Sequence, residues 1–149
     1  MRLLHKGLLA TGAMVAALLA SPVAAQATGT PVCPSSDGTG CLYAWTWYNN
    51  EGYQCSWFNS DGNWGDDCPE GLSGGFRNQA SSLENQSSHG NYARLYFHPS
   101  YTGAWACVGP GEYWNDLSVK RFNRGSGRDG YNYVIDNEIA GFKWSTSCG

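Results

Sequence analysis

Charge is scarce in this sequence: 14% of its 149 residues are Asp, Glu, Lys or Arg, and only nine are basic. The basic residues beyond the N-terminal stretch, Arg77, Arg94, Lys120, Arg121, Arg124, Arg128 and Lys143, are scattered, with one loose cluster from Lys120 to Arg128. Without Arg2 and Lys6, seven basic residues face twelve acidic ones, a net charge near −5. A nucleic-acid partner is thereby excluded, because such binding rests on basic surface that displaces counterions. Histidine is rarer still, at three residues, and no CxxC pair occurs, so the chain lacks the spacing of a zinc site. HExxH, P-loop and dinucleotide-binding fingerprints are absent. No stretch keeps apolar residues at helical spacing for more than about two turns, and no long apolar run follows Ala20.

What is present sets the compartment. Met1 to Lys6 is short and basic, Gly7 to Ala20 is almost wholly apolar, and Ala25-Gln26-Ala27 follows the small-x-small cleavage pattern. Residues 1–27 are therefore expected to be a secretory signal peptide and 28–149 a single exported, monomeric domain with no membrane contact after cleavage. All six cysteines, Cys33, Cys41, Cys55, Cys68, Cys107 and Cys148, fall in that second part, where an even count reads as disulfides. Spacing does not choose the connectivity. Favouring local loops gives Cys33–Cys41, Cys55–Cys68 and Cys107–Cys148.

Short apolar and aromatic runs alternate with turn clusters. The runs are Cys41–Trp47, Tyr53–Phe58, Ala93–His98, Trp105–Val108, Tyr131–Ile135 and Ile139–Trp144. Between them lie Asn49-Asn50, Asp61-Gly62-Asn63, Gly71 to Gly75, Ser87 to Asn91, Gly109-Pro110-Gly111 and Gly125 to Gly130. Strands punctuated in this way predict an all-β sandwich or barrel. Self-comparison adds a repeat. Leu42-Tyr43 followed by Tyr48-Asn49-Asn50 matches Leu95-Tyr96 followed by Tyr101-Thr102-Gly103. Arg77-Asn78-Gln79-Ala80-Ser81-Ser82 matches Asp136-Asn137-Glu138-Ile139-Ala140-Gly141. Two units follow, about 33–86 and 92–149. Asn50 and Gly103 are expected at positive φ, which Gly adopts freely and Asn better than most residues.

These residues resemble the βγ-crystallin-like Greek-key motif: Tyr96-x4-Tyr101-x-Gly103 and Tyr43-x4-Tyr48-x-Asn50 as its aromatic hairpins, with the Asn/Ser-bearing elements at Arg77–Ser82 and Asp136–Gly141. More narrowly, Cys33-Pro34 to Tyr43, Phe76 to Leu83 and Leu95 to Gly111 make the chain similar to peptidase inhibitor family I36, the family of a Streptomyces metalloproteinase inhibitor. The resemblance implies a disulfide-stapled Greek-key sandwich of two repeated units, non-enzymatic, whose partner is an extracellular peptidase. It places the substrate-like bond at Cys107-Val108, with Val108 filling an apolar pocket of the protease and the Cys107 carbonyl approaching its zinc. A disulfide at Cys107 would hold that loop and reduce the ordering cost of binding. The stretch Gly109 to Trp114 holds no second cysteine, so Cys107 must pair at a distance.

The resemblance also raises calcium, with Asn78, Ser81, Ser82, Asp136 and Asn137 as candidate oxygen donors. Arg77 interrupts the first copy of the element, and Ala140-Gly141 remove the hydroxyls of the second. No other cofactor is expected. Gly71-Leu72-Ser73-Gly74-Gly75 matches G-x-S-x-G but lacks the strand–turn–helix setting that a hydrolase needs, and is expected to be a loop. Asp61, Asp66, Asp67 and Glu70 are expected to be solvated. The rival function is cell-wall glycan binding. Most of the seven tryptophans are expected in the core, which needs large side chains to bury enough area, but Trp47, Trp64 or Trp114 at the surface would serve as a stacking platform.

Overall fold

The computed structural model describes residues 40–68, 72–87 and 89–149. Seven strands are found among them: β1 (Leu42–Trp45), β2 (Gln54–Trp57), β3 (Ser82–Asn85), β4 (Tyr92–His98), β5 (Thr102–Val108), β6 (Tyr113–Trp114) and β7 (Gly141–Ser145). They form two antiparallel sheets, β2-β1-β3-β6 and β5-β4-β7. Alternation explains the layering. Along β5, Ala104, Ala106 and Val108 are buried while Trp105 and Cys107 face the other side. Between the sheets, Trp57 stacks on Trp64 at 4.1 Å, and Phe76 and Phe142 pack edge-on or tilted against both. Asn85, fully buried in β3, satisfies its amide by donating to the Asn91 and Val108 carbonyls and accepting from Ser87 N.

The sheets are interlocked by a pseudo-two-fold exchange. β6 belongs to the second unit yet completes the first sheet, pairing Trp114 with Leu83. Asp61, from the first unit, bridges to Phe142 of β7 in the second. The same reciprocity recurs in the loops. Asn78 N donates to Ile139 O and Asn137 N to Ala80 O, both at 2.9 Å. Trp64 N donates to Ala140 O as Leu117 N does to Ser81 O, and Asn49 N donates to Asn115 O as Ser100 N does to Gly62 O. The repeat is therefore a property of the fold as well as of the sequence.

That symmetry corrects one alignment. Asn49, Asn50 and Gly52 have φ of 56°, 63° and 82°, and Ser100, Tyr101 and Gly103 have 58°, 61° and 77°. The counterpart of Tyr96-x4-Tyr101-x-Gly103 is thus Trp45-x4-Asn50-x-Gly52, two residues beyond the Tyr43-x4-Tyr48-x-Asn50 expected from the aromatics. Strand pairing agrees, since Ala44 opposes Leu83 as Leu95 opposes Phe142. Tyr101 packs edge-on against Tyr96 at 5.6 Å, whereas Tyr48 is exposed. Both Asn50 and Gly103 do have positive φ.

A second correction concerns Tyr131–Ile135, which is a turn with a single bridge from Val134 to Arg121. Gly130 at φ 81° and Asn132 at φ 66° break the extension that the apolar residues suggested. Leu72 to Gly75 is irregular chain leading into the buried Phe76, with no helix after it. The structure contains the disulfides Cys55–Cys68 and Cys107–Cys148, and Cys41 is also disulfide-bonded. Cys33 lies outside the described residues, as do Glu70, Gly71 and the expected signal peptide. Disulfides belong to an oxidising compartment. Among the described residues no helix is long and apolar enough to cross a membrane.

Candidate functional site

The Cys107-Val108 bond lies inside β5, where Cys107 opposes Arg94 and Val108 opposes Ala93. Val108 is fully buried, and its carbonyl accepts from Asn85 Nδ2. Cys107 is bonded to Cys148 near the C-terminus. A bond held in a sheet, with its apolar side chain in the core, is not offered to a protease.

The calcium candidates behave differently. The hairpin joining β1 and β2 closes over Ser82, whose hydroxyl donates to the Trp47 carbonyl at 2.7 Å and accepts from Asn50 N at 3.1 Å. From the second unit, Asp136 reaches the same hairpin: its Oδ2 accepts from the Tyr48 hydroxyl at 3.4 Å and from Asn137 Nδ2 at 3.1 Å. Asp116 caps the 3₁₀ turn Leu117–Val119 by accepting from Ser118 N and Oγ, and Asn115 Nδ2 donates to Asn49 Oδ1. Asp136, then burial, then Asp116 hold the Tyr48 phenol above its ordinary pKa.

Two buried oxygens at this place, Asn50 Oδ1 and Asp136 Oδ1, accept no hydrogen bond from the described residues. Leaving such acceptors unsatisfied is costly, so buried polar atoms without partners call for an explanation. The donor set is two carboxylates with an amide, a hydroxyl and a carbonyl. Among the described residues no group of three or more His, Cys, Asp or Glu that could hold a metal ion occurs. Mixed carboxylate, amide, hydroxyl and carbonyl oxygens are the hard donors that suit Ca²⁺.

The pseudo-two-fold carries the same positions to the other half, where the chemistry is reversed. Asn63 stands for Asp116 and likewise receives a backbone N–H, that of Gly65. Arg77 stands for Asp136, with Nη1 donating to Asn63 Oδ1 at 3.3 Å. Gly141 stands for Ser82 and Tyr101 for Asn50. Each copy of the sequence element is interrupted, but at different places. The fold unites the intact Ser82 of the first copy with the intact Asp136 and Asn137 of the second, and gathers Arg77 and Gly141 at the opposite end. Asn78 goes with that opposite end, while Ser81 stays on the first side through its bonds to Trp45 O and Leu117 N. Sequence reasoning named Ser82 and Asp136 but missed Asn50 and Asp116, which enter only through the hairpin and the exchanged strand.

The remaining candidates disperse. His98 pairs with Asp129 at 2.7 Å on the surface. Asp67, expected to be solvated, is half-buried and accepts from Trp57 Nε1 at 2.6 Å. Its carboxyl is pushed up to about 6, chiefly by burial. Trp64 is fully buried and cannot be a stacking platform, Trp114 is half-buried beneath Lys120 Nζ, and Trp47 is 63% exposed.

No protein-family model and no curated protein sequence matches this chain. Solved structures do. A βγ-crystallin from an archaeon superimposes with a TM-score of 0.51 at 16% identity, over 72% of this chain and 99% of its own. A structure bearing on the evolution of the eye-lens βγ-crystallin domain fold superimposes with a TM-score of 0.53 at 12% identity, over 83% of this chain and 96% of its own. Together with the interlocked sheets, these likenesses establish the architecture: the chain has the βγ-crystallin fold, built from two antiparallel sheets and stapled by disulfides.

Proposed function

We propose that this protein is a non-enzymatic, exported binding module that takes one Ca²⁺ ion per chain at the β1–β2 hairpin. The observation that carries the reading is the pair of buried acceptors, Asn50 Oδ1 and Asp136 Oδ1, left without donors among the described residues. Asn50, Ser82 and Asp136 would hold the ion, with Asp116 adding charge. A bound cation supplies the positive partner that these oxygens lack and ties the first unit's hairpin to the second unit's loop. Disulfides and a calcium ion both suit a chain working outside the cytoplasm, where calcium is abundant enough for a modest site.

Calorimetric titration of the oxidised 28–149 chain with Ca²⁺ tests this reading. One binding event per chain is expected, with a rise in Tm that grows with ion concentration above Kd. Asp136→Asn should weaken binding at least tenfold and Ser82→Ala should weaken it measurably. No binding at millimolar calcium overturns the reading. Peptidase inhibition through Cys107-Val108 would require β5 to part from β4. A thermolysin-like metallopeptidase is therefore expected to keep its full activity with micromolar chain present.

A further inference from the structure

The His98–Asp129 pair is exposed and takes no part in the cation site, yet its carboxyl is held at both oxygens. Oδ2 of Asp129 lies 2.7 Å from His98 Nε2, and Oδ1 accepts the backbone N–H of the next residue, Gly130, at 3.0 Å. The fold keeps that arrangement in place. Asp129 O accepts from Ala104 N at 2.8 Å, and Tyr133 N donates to Gly130 O at 3.0 Å. Gly130 is buried at φ 81°, and a Cβ there would overlap the Phe97 ring, so the position admits only glycine. No side chain therefore shields its nitrogen.

The chain repeats the same dipeptide at Asp61-Gly62 and treats it differently. Asp61 Oδ1 accepts from Asn63 N at 2.7 Å, one residue beyond Gly62. The Asp61 backbone is paired on both sides with Phe142, donating at 3.0 Å and accepting at 2.6 Å. A third such dipeptide, Asp37-Gly38, lies outside the described residues.

We infer that Asp129-Gly130 is a self-modification site, where the chain converts aspartate to isoaspartate through a succinimide with His98 as proton donor. Holding the nitrogen at one end of the carboxyl makes the attack intramolecular, and the imidazolium at the other end supplies general acid. The Gly130 nitrogen bonds to Cγ, its proton passes to Oδ1, and His98 gives a proton to Oδ2. One oxygen then departs with both protons as water, leaving a five-membered imide and a neutral imidazole. Water reopens the ring at either carbonyl, and the proton of the new carboxyl returns to His98. Opening at Cγ restores aspartate. Opening at the α-carbonyl runs the chain through Cγ, one backbone atom longer, and turns the acceptor of Ala104 N into a side-branch carboxylate. The neighbouring residues lie on β5, with Arg128 over the Trp105 ring at 5.6 Å and Arg124 bridged to Trp105. Modification would loosen that cover.

The test is to age the oxidised 28–149 chain at 37 °C and map its peptides by electron-transfer mass spectrometry, which distinguishes isoaspartate from aspartate. Isoaspartate, with its dehydrated precursor, is expected at residue 129 at least tenfold faster than at residue 61. In urea with the disulfides reduced, the two sites should react alike. His98→Gln keeps a hydrogen-bond donor for Oδ2 without an acidic proton. It should slow residue 129 at least tenfold, leave residue 61 unchanged, and keep the Ala104 amide protected from hydrogen exchange, as a merely collapsed turn would not. Equal rates at the two sites in the native chain, or a rate at residue 129 indifferent to His98→Gln, overturns the inference.

Discussion

Asp67 shows how a single carboxyl can be read from its surroundings. Burial raises its pKa from 3.8 to about 6 against the opposing effect of the Trp57 N–H, which favours the charged form. Between those values the folded chain keeps a proton that the unfolded chain has lost. Stability from this group is full below pH 3.8, falls as pH rises to about 6, and is flat above. Tryptophan fluorescence of the native chain should titrate with a midpoint near pH 6, and Asp67→Asn should abolish that transition and the associated fall in Tm. At Asn137, with φ 57°, replacement by Gly should be nearly neutral, while Ala should cost about 1 kcal/mol for forcing a Cβ into the left-handed region. Chemical denaturation of the two variants measures the difference.

Among the elements, the core strands were legible because alternation and turn residues mark them: β1, β2, β4, β5 and β7 all fall within or across apolar runs. β3 and β6 were not. Ser82–Asn85 is polar at three of its four positions, and its burial comes from Asn85 satisfying its own amide. Tyr113–Trp114 is two residues long and exists as a strand only because Leu83 of the other unit waits for it. The hairpin register slipped because aromatics at Tyr43, Trp45, Trp47 and Tyr48 fit the spacing in more than one way. Only backbone dihedrals, set by Asn49, Asn50 and Gly52, decide among them. The candidate site was half legible for the same reason. Each sequence copy looked broken by itself, and no one-dimensional alignment shows that the fold joins opposite halves of the two. Trp64 connects this level to the core: it lies in a loop between strands, yet stacks on Trp57 and contacts Phe76 and Phe142. Trp64→Ala should cost about 3–5 kcal/mol, read from urea denaturation.

At the level of the molecule, the two described disulfides close loops of 13 and 41 residues, worth about 3 and about 4 kcal/mol in chain entropy. Reduction should therefore lower the urea midpoint sharply, with Cys107→Ala/Cys148→Ala losing at least as much as Cys55→Ala/Cys68→Ala. Each of these bridges lies within one unit, so neither ties the two units together. What joins them is the exchange of β6 for the Asp61 segment, together with the shared core.

That exchange has an ancestral corollary. A unit that lends one edge and borrows another has no complete sheet by itself, whereas two identical copies could satisfy each other in the same way. A gene encoding a single unit would then have specified a homodimer, and its tandem duplication would have turned a concentration-dependent assembly into a covalent one. The two loops that the exchange brings together could afterwards have changed independently, consistent with Arg77 standing where the other half has Asp136.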